Sequence, residues 1–184
     1  MFNWSLPYVS RRAPVFARNA VATSQPLAAQ AGIEMLRRGG NAVDAAIATA
    51  ITLTVVEPAM NGVGSDAFAI VWDGHNLTGI NGSGKSPAAW TPRRFKGPNM
   101  PTQGWDSVTV PGAVSTWIAL SQKFGKLPFA DLFEPAIRYA SDGFQVGTKT
   151  ASIWSWSVDS FAHFNAFQEH FAPRGRSPNP GEIF

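Results

Sequence analysis

From Asn41 to Val55 the chain predicts a helix that is apolar on nearly every face: Ala42, Val43, Ala45, Ala46, Ile47, Ala48, Ala50, Ile51 and Leu53 leave no polar stripe. A surface helix shows one apolar stripe, whereas one that is apolar all round is packed on both sides. The rest of the chain must therefore assemble around this segment. The longest apolar run, Ala45 to Val56, is interrupted by Thr49, Thr52 and Thr54. It falls short of the about 20 apolar residues that cross a bilayer, so its partners are other parts of a protein. Asn41 is placed to cap the helix, Asp44 lies in its first turn, and Pro58 ends it.

The flanking segments supply the cover. Val21–Ser24 predicts a short strand, and Gln25-Pro26 opens a helix in which Leu27, Ala31, Met35 and Leu36 recur at helical spacing. Gly39-Gly40 stops that helix. After the glycine-rich loop Asn61–Asp66, Ala67–Trp72 reads as a buried-type strand, Asp73-Gly74 as a hairpin turn and Leu77–Ile80 as the return strand. Residues 82–106 are rich in Gly and Pro and predict surface loop. Ser107–Val110 predicts a strand, 113–124 a helix stopped by Gly125, and 129–141 a further helix closed by Gly143. Phe161, Phe164, Phe167 and Phe171 fall on one helical face and predict a core-facing stripe. Residues 1–20 read as an irregular lead-in, and Pro178–Phe184 reads as a cut through a longer chain.

Composition narrows the function classes. Hydrophobic residues make up 45% of the 184 and charged residues only 15%, well below the usual quarter, which excludes wholesale disorder. The net charge is +3, and the arginine pairs at 11/12, 37/38 and 93/94 are scattered, so no nucleic-acid partner is expected. With no cysteine, thiol catalysis, disulfide scaffolds and thiolate-bound zinc are excluded. Three histidines, His75, His163 and His170, have no acidic partner at ligand spacing, so no metal or other cofactor is expected. The first residues lack a basic and an apolar signal region, so the expectation is a cytoplasmic protein without a membrane partner.

Two patterns invite a chemical reading. Gly79-Ile-Asn-Gly-Ser-Gly-Lys85-Ser86 fits the phosphate-binding pattern G-x-x-x-x-G-K-[ST] in full. Such a loop needs a helix starting at its Lys-Ser step, and here Pro87 follows at once with Pro92 soon after. An interior proline costs a helix about 3 kcal/mol, so a glycine-rich turn leaving the hairpin competes with the nucleotide-site reading. Glu57, just past the central helix, is the second: a carboxylate there is either catalytic or, as favoured here, a partner for loop amides.

Several stretches, in order from about Val21 to Phe184, resemble the gamma-glutamyltransferase family of N-terminal-nucleophile hydrolases. They are Ala22–Gly32, Met35-Leu-Arg-Arg-Gly-Gly-Asn-Ala-Val-Asp-Ala-Ala46, Val55-Val-Glu-Pro58, Gly62-Val-Gly64 and Phe68–Trp72, then Val110-Pro-Gly-Ala-Val114, Phe124-Gly-Lys-Leu-Pro128, Leu132–Ile137 and Gly143-Phe144. The resemblance implies an α+β fold, a four-layer αββα sandwich of which this chain supplies only part, with residues 1–184 as the leading portion of the large chain. It implies a precursor that cuts itself, with a nucleophilic threonine at the new N-terminus of the small chain. The threonine's own α-amine serves as base. Amide cleavage then runs through an acyl-enzyme, with no catalytic residue in this chain and the small chain as its partner.

One family residue falls within the segment. An arginine in an Arg-Glu-x-Ala-Pro stretch clamps the carboxylate of glutamyl substrates, and Ser83 stands at that position in Ser83-Gly-Lys-Ser-Pro87. Serine cannot form arginine's bidentate clamp, while Lys85, two residues on, offers a single charge. Ser65-Asp66 also stand where the family commonly has glycines. Ser83 and Lys85 are thus the candidate substrate-binding residues. The expected substrate is a small amide or acyl compound other than a glutamyl one, such as oxamate or a cephalosporin-type side chain. A nucleotide-binding protein acting through Gly79–Ser86, and a remnant of the fold without catalysis, remain as alternatives.

Overall fold

The computed structural model describes residues 14–184. Two helices, α1 (Pro26–Arg37) and α2 (Ala42–Val56), are followed by a hairpin of β1 (Ala67–Trp72) and β2 (Leu77–Gly82). Four further helices complete the order: α3 (Ala113–Phe124), α4 (Glu134–Asp142), α5 (Thr148–Ser160) and α6 (Asn165–Phe171). This is the α+β composition expected, a helical layer carrying a two-stranded antiparallel sheet. No helix among the described residues is long and apolar enough to cross a membrane. Of the lead-in expected over 1–20, residues 14–20 hold no helix or strand, and 1–13 lie outside the described residues.

The start of α2 is fixed by its own sequence. The Asn41 side chain accepts from the amides of Val43 and Asp44, and the Asp44 carboxylate accepts from the Asn41 amide at 2.8 Å, a reciprocal capping box. Asp44 is fully buried, and it also accepts from the amides of Lys126 at 3.0 Å and Leu127 at 3.3 Å. Asn41 donates to the Phe124 carbonyl. One cap thus joins α2 to the turn after α3. The turn between α1 and α2 uses Gly39 at φ +89°, where a side chain is strained. A Cβ at the next glycine, Gly40, would crowd Leu127 and the Met35 carbonyl.

α2 contacts α1, α3, α4 and the 3₁₀ turn Phe129–Phe133. A core of Met35, Ile47, Ala48, Ile51, Trp117, Leu120 and Leu132 surrounds it. Burial is not complete, however. Ala42 and Ala46 are exposed, and they face a groove of about 780 Å³ whose other wall is residues 18–23. A second core, built on Ala28, Val56, Phe144, Val146 and Trp154, lies under α5. The Trp154 indole N–H donates to the Phe171 carbonyl at 2.9 Å, so the tryptophan's polar end is satisfied. Residues 178–184 fold back on 143–147 through Gln145–Ile183 pairing. There the forked Arg176 guanidinium and the Asn179 amide hold the Glu182 carboxyl down at about 2.

The hairpin pairs Ala67 with Gly82, Phe68 with Asn81 and so on to Trp72 with Leu77. Gly74 sits at φ +98° in the turn, and the Asp73 carboxylate accepts from the amides of His75 and Asn76, which lowers its pKa. Ala67, Ala69, Val71 and Ile80 pack on the helices. The other face is apolar and open: Phe68 is 68% exposed, Ile70 77% and Trp72 62%.

Five expected elements differ. Val21–Ser24 and Ser107–Val110 run without strand pairing, because no neighbouring strand among the described residues takes up their backbone groups. The return strand runs on to Gly82 rather than ending at Ile80. The single helix over 129–141 is a 3₁₀ turn followed by α4, which starts where Pro135, lacking an N–H, fits the first turn. The aromatic stripe is split by the turn 161–164, and it faces the core only in part: Phe171 packs on the second core against Trp154, while Phe161 lies on Phe167 at 5.3 Å and Phe167 on Phe171 at 5.2 Å, and none of the four is fully buried.

Thr52, fully buried on α2, has a hydroxyl without a hydrogen-bond partner among the described residues. Replacing it by the near-isosteric valine removes that unmet group. Thr52→Val is expected to leave the stability of the full-length protein unchanged or raise it by about 1 kcal/mol, measured by urea unfolding.

Candidate functional site

Three chain segments meet at the open end of the hairpin. They are the residues entering β1 (Ser65, Asp66), those leaving β2 (Ser83 to Ser86) and those entering α3 (Thr109 to Gly112). The amides of Gly112 and Ala113 donate to the Ser65 carbonyl at 3.2 and 2.9 Å. The Val110 amide donates to the Lys85 carbonyl at 2.9 Å. The Thr109 hydroxyl lies 3.2 Å from a carboxylate oxygen of Asp66 and 3.3 Å from the Ser83 carbonyl oxygen. The Asn81 side chain accepts from the Ser83 amide at 3.0 Å.

Glycines make this convergence sterically feasible. A Cβ on Gly82 would run into Thr116, and one on Gly112 would run into the Gly82 carbonyl oxygen. Gly84 adopts φ +76°, and a Cβ there would strike the Val110 carbonyl oxygen. The backbones therefore pass at a separation that no side chain tolerates.

Between them opens a cleft of about 570 Å³, lined among others by Ser83, Lys85, Ser86, Pro111 and Ser115. The structure thus brings both predicted substrate-binding residues to one cavity. Ser83 is half-buried at the foot of β2, and Lys85 is exposed, with no ion-pair partner among the described residues. What the cleft offers a ligand is one cationic amine beside serine hydroxyls.

The phosphate-loop pattern does not become a phosphate loop. Gly79 to Gly82 belong to β2, Ser83–Ser86 is irregular, and no helix starts at Lys85-Ser86. The next element is the 3₁₀ turn Pro92–Arg94. A P-loop binds phosphate with amides at a helix N-terminus, and that terminus is missing here. Glu57 plays the bracing part: it ends α2, accepts from the Ser24 hydroxyl at 2.8 Å and the Asn61 amide group at 3.1 Å, and its carbonyl accepts from the amides of Met60 and Asn61. His75 lies in the hairpin turn, and His163 packs on Phe164. Among the described residues no three His, Cys, Asp or Glu side chains come together at metal-binding distance.

Thr109 and its contact with Asp66 were not legible beforehand. The one available signal was the Val-Pro-Gly step, which announces a close approach just before a helix without naming its partner.

A family model described as gamma-glutamyltranspeptidase matches residues 28–184. The chain belongs to the gamma-glutamyltranspeptidase family. It is 38% identical over 173 residues to the glutathione hydrolase-like YwrD proenzyme of Bacillus subtilis (strain 168), covering 91% of this chain and 33% of that protein. The crystal structure of cephalosporin acylase from Bacillus halodurans superposes with a TM-score of 0.92 and 47% identity, covering 100% of this chain and 37% of that one. The Helicobacter pylori gamma-glutamyltranspeptidase structure gives 0.85 and 25%, covering 94% of this chain and 52% of that one. The chain therefore spans about a third of the curated relative it matches. The run Arg38–Ala46, a highly specific stretch of the family resemblance, has a structural role here: its glycines, Asn41 and Asp44 make the α1–α2 turn and the tie to α3.

The two glycines of the pattern respond differently to substitution. Gly84→Ala is expected to destabilise the full-length protein by about 1–3 kcal/mol, because of its φ and the Val110 carbonyl. Gly79→Ala, with nothing within 4 Å of the new methyl, is expected to be neutral or stabilising. Thermal unfolding of both variants checks the contrast.

Proposed function

We propose that this chain is the leading part of the large chain of an amidohydrolase or acyltransferase. Its nucleophile is a threonine at the N-terminus of a small chain cut from the same precursor. The threonine hydroxyl adds to the substrate's amide carbonyl and gives its proton to the threonine's own α-amine. The amine leaving group departs with that proton, and the acyl group remains as an ester on the threonine until water or another amine takes it. Within this chain the Ser83–Ser86 cleft receives the acyl portion, Lys85 pairs with its acidic group, and the small chain covers the open face of the hairpin at Phe68, Ile70 and Trp72.

The observation that carries this reading is Ser83 and Lys85 in one cleft, on the stretch that the family resemblance aligns with the glutamyl-binding arginine. A lysine supplies one point charge and a serine one hydroxyl, which suits a single carboxylate on a non-glutamyl acyl group. The similarity to a cephalosporin acylase supports an acyl substrate other than a glutamyl one. The relative from Bacillus subtilis is a proenzyme, which supports self-cleavage.

The test is the intact mass of the protein expressed from its full reading frame. Two chains are expected, the smaller beginning with threonine, and a single uncut polypeptide contradicts the proposal. On the processed enzyme, Lys85→Met is expected to raise KM about tenfold for succinyl-4-nitroanilide and leave its neutral isostere butyryl-4-nitroanilide unchanged.

A further inference from the structure

The turn that carries Lys85 is held from outside, by residues the reading above does not use. Two carbonyls flank Gly84, those of Ser83 and Lys85. The Thr109 hydroxyl is within hydrogen-bond distance of the first, and the Val110 amide donates to the second at 2.9 Å. One two-residue strap therefore grips both sides of a glycine at φ +76°. Thr109 is itself anchored. Its single hydroxyl proton is shared between the Ser83 carbonyl oxygen and Asp66, and the register that pairs Ala67 with Gly82 sets Asp66 directly beside Ser83. Asp66 has no ion-pair partner among the described residues, and its carboxylate lies 3.2 Å from the Thr109 hydroxyl.

We infer that Thr109, oriented by Asp66, is a positioning residue that aims Lys85 at the carboxylate of the acyl substrate, and so sets the preference for singly acidic acyl groups. The inference rests on the reading of Lys85 as the anion-binding group. Without the strap the Ser83–Lys85 turn samples other conformations, and a flexible lysine holds a carboxylate less well because more freedom is lost on binding. The hydroxyl's contacts lie at the surface, so the effect is that of one ordinary hydrogen bond.

The experiment uses the processed full-length enzyme and the two nitroanilides, acidic and neutral. Thr109→Val is expected to raise KM for succinyl-4-nitroanilide about 3- to 10-fold, with kcat and the neutral substrate unchanged. Thr109→Ser, which keeps the hydroxyl, is expected to behave as the unaltered enzyme. In a Lys85→Met background Thr109→Val is expected to do nothing more, since residues acting through one group are not additive. Three results overturn the inference: an equal effect on both substrates, a full additional effect in the Lys85→Met background, or a Thr109→Ser variant as impaired as Thr109→Val. If Lys85→Met itself fails to separate the two substrates, the reading of Lys85 falls and takes this inference with it. If Lys85→Met separates them and Thr109→Val does not, only the role of Thr109 is refuted.

Discussion

The fold hangs on a buried carboxylate. Asp44 is closed off from solvent, and three backbone amides from two separate parts of the chain point at it. Burying such a group is costly unless its hydrogen bonds are made, and here they are made with main chain, the least adjustable donor available. The turn after α3 is therefore set against the start of α2 with little freedom. Gly125, whose Cβ would crowd both the Ser121 carbonyl and Asp44, lets the backbone come that close. Through α3 the constraint reaches the far end of the layer, where α3 begins at the Gly112 step beside Ser83 and Lys85.

The two ends of this arrangement divide the work. At one end, polar groups spend their hydrogen bonds on holding helices. At the other, backbones packed glycine on glycine leave Ser83, Lys85 and Ser86 around a cleft. The run Arg38–Ala46, which carries the family resemblance, lies at the first end, where Asn41 and Asp44 tie α2 to the turn after α3. The hairpin leaves an apolar face open at Phe68, Ile70 and Trp72, and a groove runs along Ala42 and Ala46.

Much of this was legible in sequence where the signal is local. The period of α1, the cap Asn41 with Asp44, the Gly39 stop and the Asp73-Gly74 turn all depend on neighbours within a few residues, and all stand where expected. What depends on a partner was less legible. Val21–Ser24 and Ser107–Val110 have strand-like composition, but a strand exists only when another takes up its amides. The all-round apolar α2 was correctly central, yet its apolar pattern does not show that Ala42 and Ala46 stand exposed along a groove. The Gly79–Ser86 pattern failed for a related reason: residue types at fixed spacing do not make a phosphate site without the helix end that gives the amides a common direction. Ser83 and Lys85 were candidates only through the family resemblance, which aligns their stretch with the family's arginine, whereas Thr109 is far from them in sequence and adjacent only after folding.

The central claim, that Asp44 couples the two helices by accepting main-chain hydrogen bonds, is tested most directly by hydrogen exchange in the full-length protein. The amides of Lys126 and Leu127 lie outside any helix, so their protection reports the contact to Asp44 itself. They are predicted to exchange as slowly as the interior of α2, and to exchange much faster in Asp44→Ala while amides under α5 keep their rates. Rapid exchange in the unaltered protein, or rates unchanged by the substitution, would contradict the account.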